Sequence, residues 1–417
     1  MPSADLTAVP TPRADPVAVR LHPAGERAVR EGHPWVFESS IRSVSQRGRT
    51  GDVAVIFDRK NRFLAVGLLD LESPIRIRVL NVGSPARVGE ELMRERLTSA
   101  LAQRGSLLED GATTGFRVVN GAGDGFPGVV VDRYGEGVVA KLYSAAWISR
   151  LHELVPAITS TLQPAEVVVL VSRMVADSPH CPDDFARGAV FVGNLEGGAL
   201  SFAEAGLHFE AHPLEGHKTG FYLDQRENRK RVQSLAGGAR VLNVFSYTGG
   251  FSLYAARGGA GAVTSVDVSG PALAQAERHF RLNRDADRRG FGEVPHRAVR
   301  GDAFRVLEDM GTRGERFDLV IVDPPAFAKA GKQTAAALAS YGKLTELALG
   351  VLEAGGGLVQ ASCSSRVAPA EFFDAVHLAA RRVGRRLVEI ERTGHPLDHP
   401  FRHPEGEYLK CLFARAH

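Results

Sequence analysis

Four side chains that could do chemistry stand where short apolar runs stop. Asp267 follows residues 262–266, Asp302 closes an extended stretch, Asp323 follows residues 319–322 and Cys363 lies just past residues 357–361. In an open parallel sheet ligands bind outside the carboxyl ends of the strands, so runs of this kind would gather three acids and a thiol in one crevice without a metal. Asp323 is followed by Pro324 and Pro325. Two prolines fix φ and remove N–H donors, which makes a stiff turn that offers the carboxyl and the backbone carbonyls to whatever sits above the strand. A planar base fits such a slot, with Phe327 available to stack on it. Carbon 5 of a pyrimidine is a poor nucleophile, and a thiolate that adds at carbon 6 turns the ring into an enamine able to attack a methyl sulfonium. Cys363 is the candidate thiolate, and Asp323 the candidate partner for ring N3 and the amino edge. A free thiol ionises near pH ~8.5, so a nearby cation would help, and Arg366 and Lys329 are the choices. If the strands ending at Asp323 and Cys363 are neighbours, their backbones lie only about 5 Å apart. The plain alternative is that Cys363 is a small buried hydrophobe.

The elements that must position these groups begin with residues 241–267. An apolar run at 241–245 reads as a buried strand, Thr248-Gly249-Gly250 as a turn into a helix at 251–257, and 262–266 as a second strand ending in Asp267. This βαβ unit places a carboxylate where it can grip ribose hydroxyls, but its turn lacks the G-x-G-x-x-G that a pyrophosphate needs. NAD and FAD are therefore disfavoured, and a nucleoside without phosphates, such as S-adenosylmethionine, is the expected ligand. The rhythm continues with helices at 271–283, 303–310, 341–352 and 369–383 and strands at 319–322, 357–361, 386–391 and 408–413. Repeated strand, helix, strand implies an α/β fold with a mainly parallel sheet covered on both faces.

Upstream the texture differs. Residues 17–82 read as short strands, at 53–57, 63–69 and 75–79, with Asp58-Arg59-Lys60-Asn61 as a hairpin turn. Arg27 and seven further basic residues accompany His33-Pro34-Trp35-Val36-Phe37 there, basic groups beside aromatics that could meet phosphates and stack bases. A solvated basic surface over a core containing Trp35 and Phe37 is the competing explanation. A helix at about 90–104, a turn-rich loop at 116–128, a hairpin at 129–143, a helix at 148–162 and a strand at 166–171 form a second α+β module, and residues 172–198 match no pattern. Candidate metal ligands are few: Asp124 and Asp132 sit in turns, and Gly and Pro between His212 and His217 deny a helical i, i+4 pair with no third ligand nearby. No metal is expected.

The 417 residues suffice for two or three domains, and 44% hydrophobic content is ordinary for a globular protein. A net charge of +3 and an isoelectric point near 8.8 permit nucleic acid without demanding it. The three cysteines, Cys181, Cys363 and Cys411, are too few and too scattered for a disulfide framework, in keeping with a reducing cytoplasm. Residues 1–16, rich in Pro, Ala and Asp, read as a disordered tail and not a signal peptide. No run approaches the ~18 apolar residues of a membrane span.

Taken together the residues resemble the PUA-domain ribosomal RNA large-subunit methyltransferases of the cytosine-C5 type. The resemblance spans nearly the whole chain: residues 33–37, 120–133, the stretch Gly216 to Arg226 with its HKTGFYLDQR run, Asn243 to Phe251, Asp323-Pro324-Pro325 with Phe327, Ser362-Cys363-Ser364, and Tyr408-Leu409-Lys410. It implies a PUA-like RNA-binding domain at 17–83, a central α+β domain at 84–200 and a Rossmann-like methyltransferase domain at 201–417. It further implies S-adenosylmethionine as cofactor, held by Tyr222, Asn243, Phe245, Ser246, Gly249, Asp267, Val268, Asp302 and Ala303. Cys363 and Asp323 would be catalytic, with Pro324, Pro325, Phe327, Trp35 and Arg27 on the substrate. The implied partner is 23S rRNA or a large-subunit precursor, with a homodimer open and a cytoplasmic setting. Ala326 stands where the family pattern usually has a charged residue, and no second cysteine follows the proline, so water or a base near Asp323 would take the C5 proton. Two other readings stay open: methylation of a guanine nitrogen, with Cys363 a bystander, and a non-catalytic RNA-binding or ribosome-assembly protein.

Overall fold

The computed structural model describes residues 4–13, 15–216, 218–286, 291–327 and 334–417. The chain divides into two compact units. The first comprises Met1–Gly206, Glu210–Leu223 and Leu397–Gly406; the second comprises Leu207–Phe209, Asp224–Pro396 and Glu407–His417.

In the first unit, strands β1 (Val17–Leu21), β2 (Trp35–Phe37), β3 (Ile41–Val44), β4 (Val53–Phe57), β5 (Phe63–Leu69) and β6 (Ile75–Val82) form one sheet in the order β2-β6-β5-β4-β1-β3. Alternation in β1 and β4 sends every second residue inward, as a half-buried strand requires. Their inward residues join Val29 of helix Pro23–Arg30 in a core with Leu64, Ile77 and Val79. The turn between β4 and β5 falls at Asp58 to Asn61 as expected, and Asn61 takes φ 60° there, a conformation asparagine tolerates better than most residues.

A second sheet in the same unit runs β11-β10-β9-β8-β7, with β7 (Gly115–Asn120), β8 (Val129–Tyr134), β9 (Gly137–Leu142), β10 (Glu166–Val171) and β11 (Ala189–Val192). β9 and β10 are parallel, and helix Leu151–Leu162 makes the crossover. That helix and Glu90–Gln103 bury Leu97, Leu151, Leu154 and Ile158 against the sheet's valines and Trp147. The stretch 116–128 is only in part the chain of turns expected, because Phe116 to Asn120 pair with β8 before the turn at Gly121–Asp124 begins. Residues 172–198, illegible as sequence, supply edge strand β11 and Val175, Phe185 and Phe191 to this core. Residues 4–13 of the stretch expected as a free tail are placed: Val9 is buried, the Ala4 N–H donates to the Val190 carbonyl and the Arg13 N–H to Asp52. Its few apolar residues outweigh its polar composition.

Strands β12 (Leu200–Glu204) and β13 (Leu207–Ala211) form a hairpin around the point where the chain leaves the first unit. The second unit is built on seven strands: β14 (Arg240–Val244), β15 (Ala262–Asp267), β16 (His296–Arg300), β17 (Phe317–Val322), β18 (Leu352–Ser362), β19 (Leu387–Thr393) and β20 (Lys410–Ala416). Their order is β16-β15-β14-β17-β18-β20-β19. Every neighbouring pair from β16 to β18 is parallel, and β20 alone runs against its neighbours. Helices Gly250–Arg257, Gly270–Ala286, Ala303–Thr312, Thr334–Gly350 and Pro369–Arg382 alternate with the strands. Valines and leucines of the central strands are buried with Leu307, Tyr341, Leu344, Phe372 and Val376 of the helices. The α/β expectation therefore holds, with β18 opening at Leu352, the residue at which the expected helix 341–352 ends; β18 then passes Gly355 at φ 76°.

Candidate active site

The order of the second sheet decides which strand ends meet. β14 is the first strand of the seven-stranded sheet yet lies inside it, between β15 and β17, so the chain reverses its direction of growth there and opens a crevice at the carboxyl ends. Val244 pairs with Val266 on one side and Val322 on the other, and Val322 with Gln360. The residues beyond these positions are the loop 245–249, Asp267, Asp323 and, a little further, Cys363.

The loop after β14 is tight. Phe245 and Tyr247 both take left-handed backbone conformations, φ 62° and 47°, which for side chains of this size cost about 1–2 kcal/mol each. They are held by neighbours: the Ser246 N–H donates to the Val266 carbonyl at 3.0 Å and the Tyr247 N–H to Asp267 Oδ2 at 2.8 Å. Asp267 Oδ1 accepts from the Ser269 N–H at 2.9 Å, so this carboxylate ties two loops together at the crevice. Gly249 caps helix Gly250–Arg257 at φ 80°. Asn243 is sealed inside the sheet, its Nδ2 donating to Ser252 Oγ at 2.9 Å, and Ser252 continues through Ser265 to His296. Asp302 is exposed and caps helix Ala303–Thr312 by accepting from the Arg305 N–H; Ala303 behind it is buried. Val268 is exposed to 71%.

These residues fit a phosphate-free nucleoside. Three adjacent strands, β14, β15 and β16, present the 245–249 loop, Asp267 with Val268, and Asp302. The side-chain oxygens of Ser246 and Thr248 and Oδ1 of Asn243 are buried without a hydrogen-bond partner, and buried polar atoms without partners are few in native proteins.

Asp323 and Cys363 are brought together because β17 and β18 are neighbours. The Cys363 thiol lies 3.8 Å from the Pro324 carbonyl oxygen, over the Asp-Pro-Pro turn, and is half-buried. Pro324 is buried and Pro325 exposed. Phe327 packs edge-on to Tyr341 at 5.1 Å between ring centres. Burial pushes the Tyr341 phenol up to about 12; Ser362 Oγ donates to its hydroxyl oxygen at 2.9 Å. Of the two cations named from the sequence, Arg366 is exposed and Lys329 lies outside the described residues.

Several residues of this cluster have no role assigned to them by the sequence, although Asp224, Gln225, Tyr408 and Lys410 fall in runs that carry the family resemblance. Gln225 Nε2 donates to Asp323 Oδ1 at 3.0 Å, Asn228 donates to the Gln225 carbonyl oxygen, and Thr393 donates to Asn228. Tyr408 donates its hydroxyl to Asp224 at 2.9 Å. Lys410 is buried and donates to the carbonyls of Ser364 and Val367. The resemblance marks residues 224–226 and the Tyr408-Leu409-Lys410 triplet but not their pairings: Asp323 and Thr393 lie 98 and 165 residues from Gln225 and Asn228.

The remaining candidates belong to the first unit. Trp35 is half-buried, with the His33 ring 5.7 Å away, and Arg27 is exposed on helix Pro23–Arg30. Tyr222 carries the Lys218 ammonium 4.2 Å above its ring. The acids once weighed as metal ligands are taken up by arginines: Asp124 accepts both Arg104 nitrogens at 2.7 Å, and Asp132 accepts from Arg117 and from Thr219. His217 lies outside the described residues. Among the described residues His33, His403 and Glu405 do bring possible ligand atoms within 4.8 Å of one another. His33 Nδ1 accepts the Trp35 N–H, which puts the proton of the neutral ring on Nε2, 3.7 Å from a Glu405 oxygen, so neither ring nitrogen offers a free lone pair to a metal in this arrangement.

The chain matches the S-adenosylmethionine-dependent methyltransferase family over residues 164–415 and a PUA-like domain over residues 19–81. It is 45% identical over 409 residues to a ribosomal RNA large subunit methyltransferase of Deinococcus radiodurans, covering 97% of this chain and 98% of the relative. A ribosomal RNA large subunit methyltransferase I of Pseudoalteromonas translucida is 34% identical over 403 residues, covering 96% and 99%. In fold the chain is similar to a structure from Streptococcus mutans assigned as a SAM-dependent methyltransferase, with TM-score 0.79, 21% identity and coverage of 95% and 99%. Another solved methyltransferase, complexed with SAH, superimposes with TM-score 0.80 at 21% identity, covering 96% and 99%. An α/β crevice suited to a nucleoside, a PUA-like β domain ahead of it and relatives that match from end to end agree: the chain belongs to the S-adenosylmethionine-dependent methyltransferase family, alongside these ribosomal RNA large subunit methyltransferases.

Proposed function

We propose that the protein methylates carbon 5 of a cytosine in large-subunit ribosomal RNA, 23S rRNA or its precursor, in the cytoplasm. The observation that carries this reading is the half-buried Cys363 sulfur 3.8 Å from the Pro324 carbonyl, on a strand end adjacent to that of Asp323. Asn243, Phe245, Ser246, Gly249, Asp267, Val268, Asp302, Ala303 and Tyr222 are assigned to the cofactor. Bound there, S-adenosylmethionine would supply an electrophilic methyl group, its S–CH3 bond breaking to leave the neutral thioether.

The chain's own residues do the rest. Pro324, Pro325 and Phe327 bracket the flipped base, and Asp323 hydrogen-bonds its N3 and amino edge, oriented by Gln225. The Cys363 thiolate adds to C6; the electron pair moves to C5, which takes the methyl group. Loss of the C5 proton to water or to a base beside Asp323 then drives the C6–S bond to break and returns the thiolate. The PUA-like domain, with Arg27 and Trp35, is assigned to RNA beyond the target base, and residues 84–200 to a central domain.

The test is nucleoside digestion and mass analysis of rRNA treated in vitro. The reading expects 5-methylcytosine, and loss of at least about a thousandfold in rate for Cys363→Ala with cofactor binding retained. Methylguanine as product, or an undiminished Cys363→Ala variant, rejects it; failure to bind S-adenosylmethionine in calorimetry would point to a non-catalytic RNA-binding protein. Bisulfite mapping of rRNA from a deletion strain then locates the nucleotide.

A further inference from the structure

Strand β20 brings an ammonium group to the turn that follows Cys363. Lys410 opens β20 and pairs in register with Ser362, the residue before Cys363. Its residue is only 3% exposed, and Nζ donates to the carbonyls of Ser364 at 2.5 Å and Val367 at 2.7 Å, closing the turn that follows Cys363. Both acceptors are neutral. A buried ammonium held only by neutral acceptors is costly and gains from an anion nearby, while a thiol needs positive charge beside it to ionise readily. The two groups are complementary in charge.

We propose that Lys410 is a positioning residue for Cys363: its ammonium fixes the 364–367 turn and supplies the positive charge that favours the thiolate. The role rests on Cys363 being the nucleophile proposed above. Burial pulls Lys410 down to about 8 while Cys363 and Glu407 act to hold it up, so the group is mainly protonated at neutral pH. Among the described residues, the other ionisable groups near Cys363 are Asp323, bonded to Gln225, and Tyr341, which burial keeps neutral. Arg366, next in sequence, is exposed and its charge is screened by water.

The experiment follows iodoacetamide alkylation of Cys363 against pH in the full-length protein by peptide mass analysis; the thiolate sulfur bonds to carbon and iodide leaves. Lys410→Gln keeps a donor and removes the charge; Lys410→Arg keeps the charge. The proposal expects the Gln variant to react about tenfold more slowly at pH 7, with its profile moved up by about one pH unit, and the Arg variant to stay within about threefold of wild type. Its kcat for methyl transfer should fall in step and recover at higher pH, with S-adenosylmethionine affinity unchanged. Cys411, fully buried, reports folding by staying unreactive. A Gln profile that superimposes on wild type overturns the proposal. So does an Arg profile displaced as far as that of Gln, which keeps the test decisive if the Gln variant unfolds. Should Cys363→Ala retain methyl transfer, the nucleophile reading fails separately, because the alkylation profiles are read on the free thiol.

Discussion

The carboxylate of Asp323 accepts a hydrogen bond from Gln225, whose own carbonyl oxygen is held by Asn228. A hydrogen bond to a charged group contributes about 1.5–3 kcal/mol, so Gln225→Leu should lower kcat/KM for methyl transfer by at least about tenfold while leaving cofactor affinity unchanged. Steady-state kinetics with calorimetry check this; equal losses in both would mean that Gln225 acts on the crevice as a whole. Asp323 and Cys363 were legible in the sequence because each ends an apolar run, and a strand end is a place where a lone polar group stands out. Gln225 and Lys410 fall in runs that carry the family resemblance, but their roles were not legible, since they matter only through partners that the sheet order brings alongside. Cations chosen by nearness in sequence, Arg366 and Lys329, were the natural guess when the antiparallel insertion of β20 beside β18 could not be foreseen.

Turns carry the strain of both units. At Gly249 a Cβ would sit 2.8 Å from Ala276 Cβ on helix Gly270–Ala286, and φ is +80°, so Gly249→Ala suffers both a backbone penalty and a contact with the neighbouring helix. A loss of about 2 kcal/mol in urea unfolding is expected, with weakened S-adenosylmethionine binding because the 245–249 loop must shift. The glycines at this turn were evident in the sequence; the left-handed Phe245 and Tyr247 were not, because nothing in bulky aromatic residues signals positive φ. In the first unit the Asp58 turn gives a pH-dependent counterpart. The Arg62 N–H, with the Arg62 guanidinium and the Lys60 N–H, holds the Asp58 carboxyl down to about 2 against the opposing effect of burial. A carboxyl depressed in the folded state stabilises above its unfolded value, near 4, and that contribution is lost as pH falls through about 2. Asp58→Asn should therefore flatten the decline in stability between about pH 4 and 2, seen in urea midpoints across that range; a wild-type slope in the variant would refute it.

At the scale of the molecule, the chain passes between its units five times, and the segment Leu397–Gly406 belongs to the first although β19 and β20 on either side of it belong to the second. That segment carries Asp398 into a buried set of charges. Its carboxylate accepts the Arg117 N–H at 2.9 Å and pairs with His399, while its backbone carbonyl accepts from Arg104, which also grips Asp124. Asp398 and Arg117 are 281 residues apart, and periodicity, which reads neighbours a few positions away, has no means of joining them. The family resemblance did mark residues 120–133 yet left 397–406 unremarked, so Asp124 and Asp132 read as turn residues when Asp124, in the turn Gly121–Asp124, and Asp132, in β8, are ion-pair partners. Asp398→Ala would strand the buried Arg117 N–H and remove the partner of His399, and an unmade buried hydrogen bond to a charged group costs about 1–3 kcal/mol. Urea unfolding should show a loss of about 2 kcal/mol or more, and amide exchange should quicken at Arg117 and along β7, where the N–H has lost its acceptor. A variant with unchanged stability and exchange would show that the segment only rests on the first unit and does not hold it together.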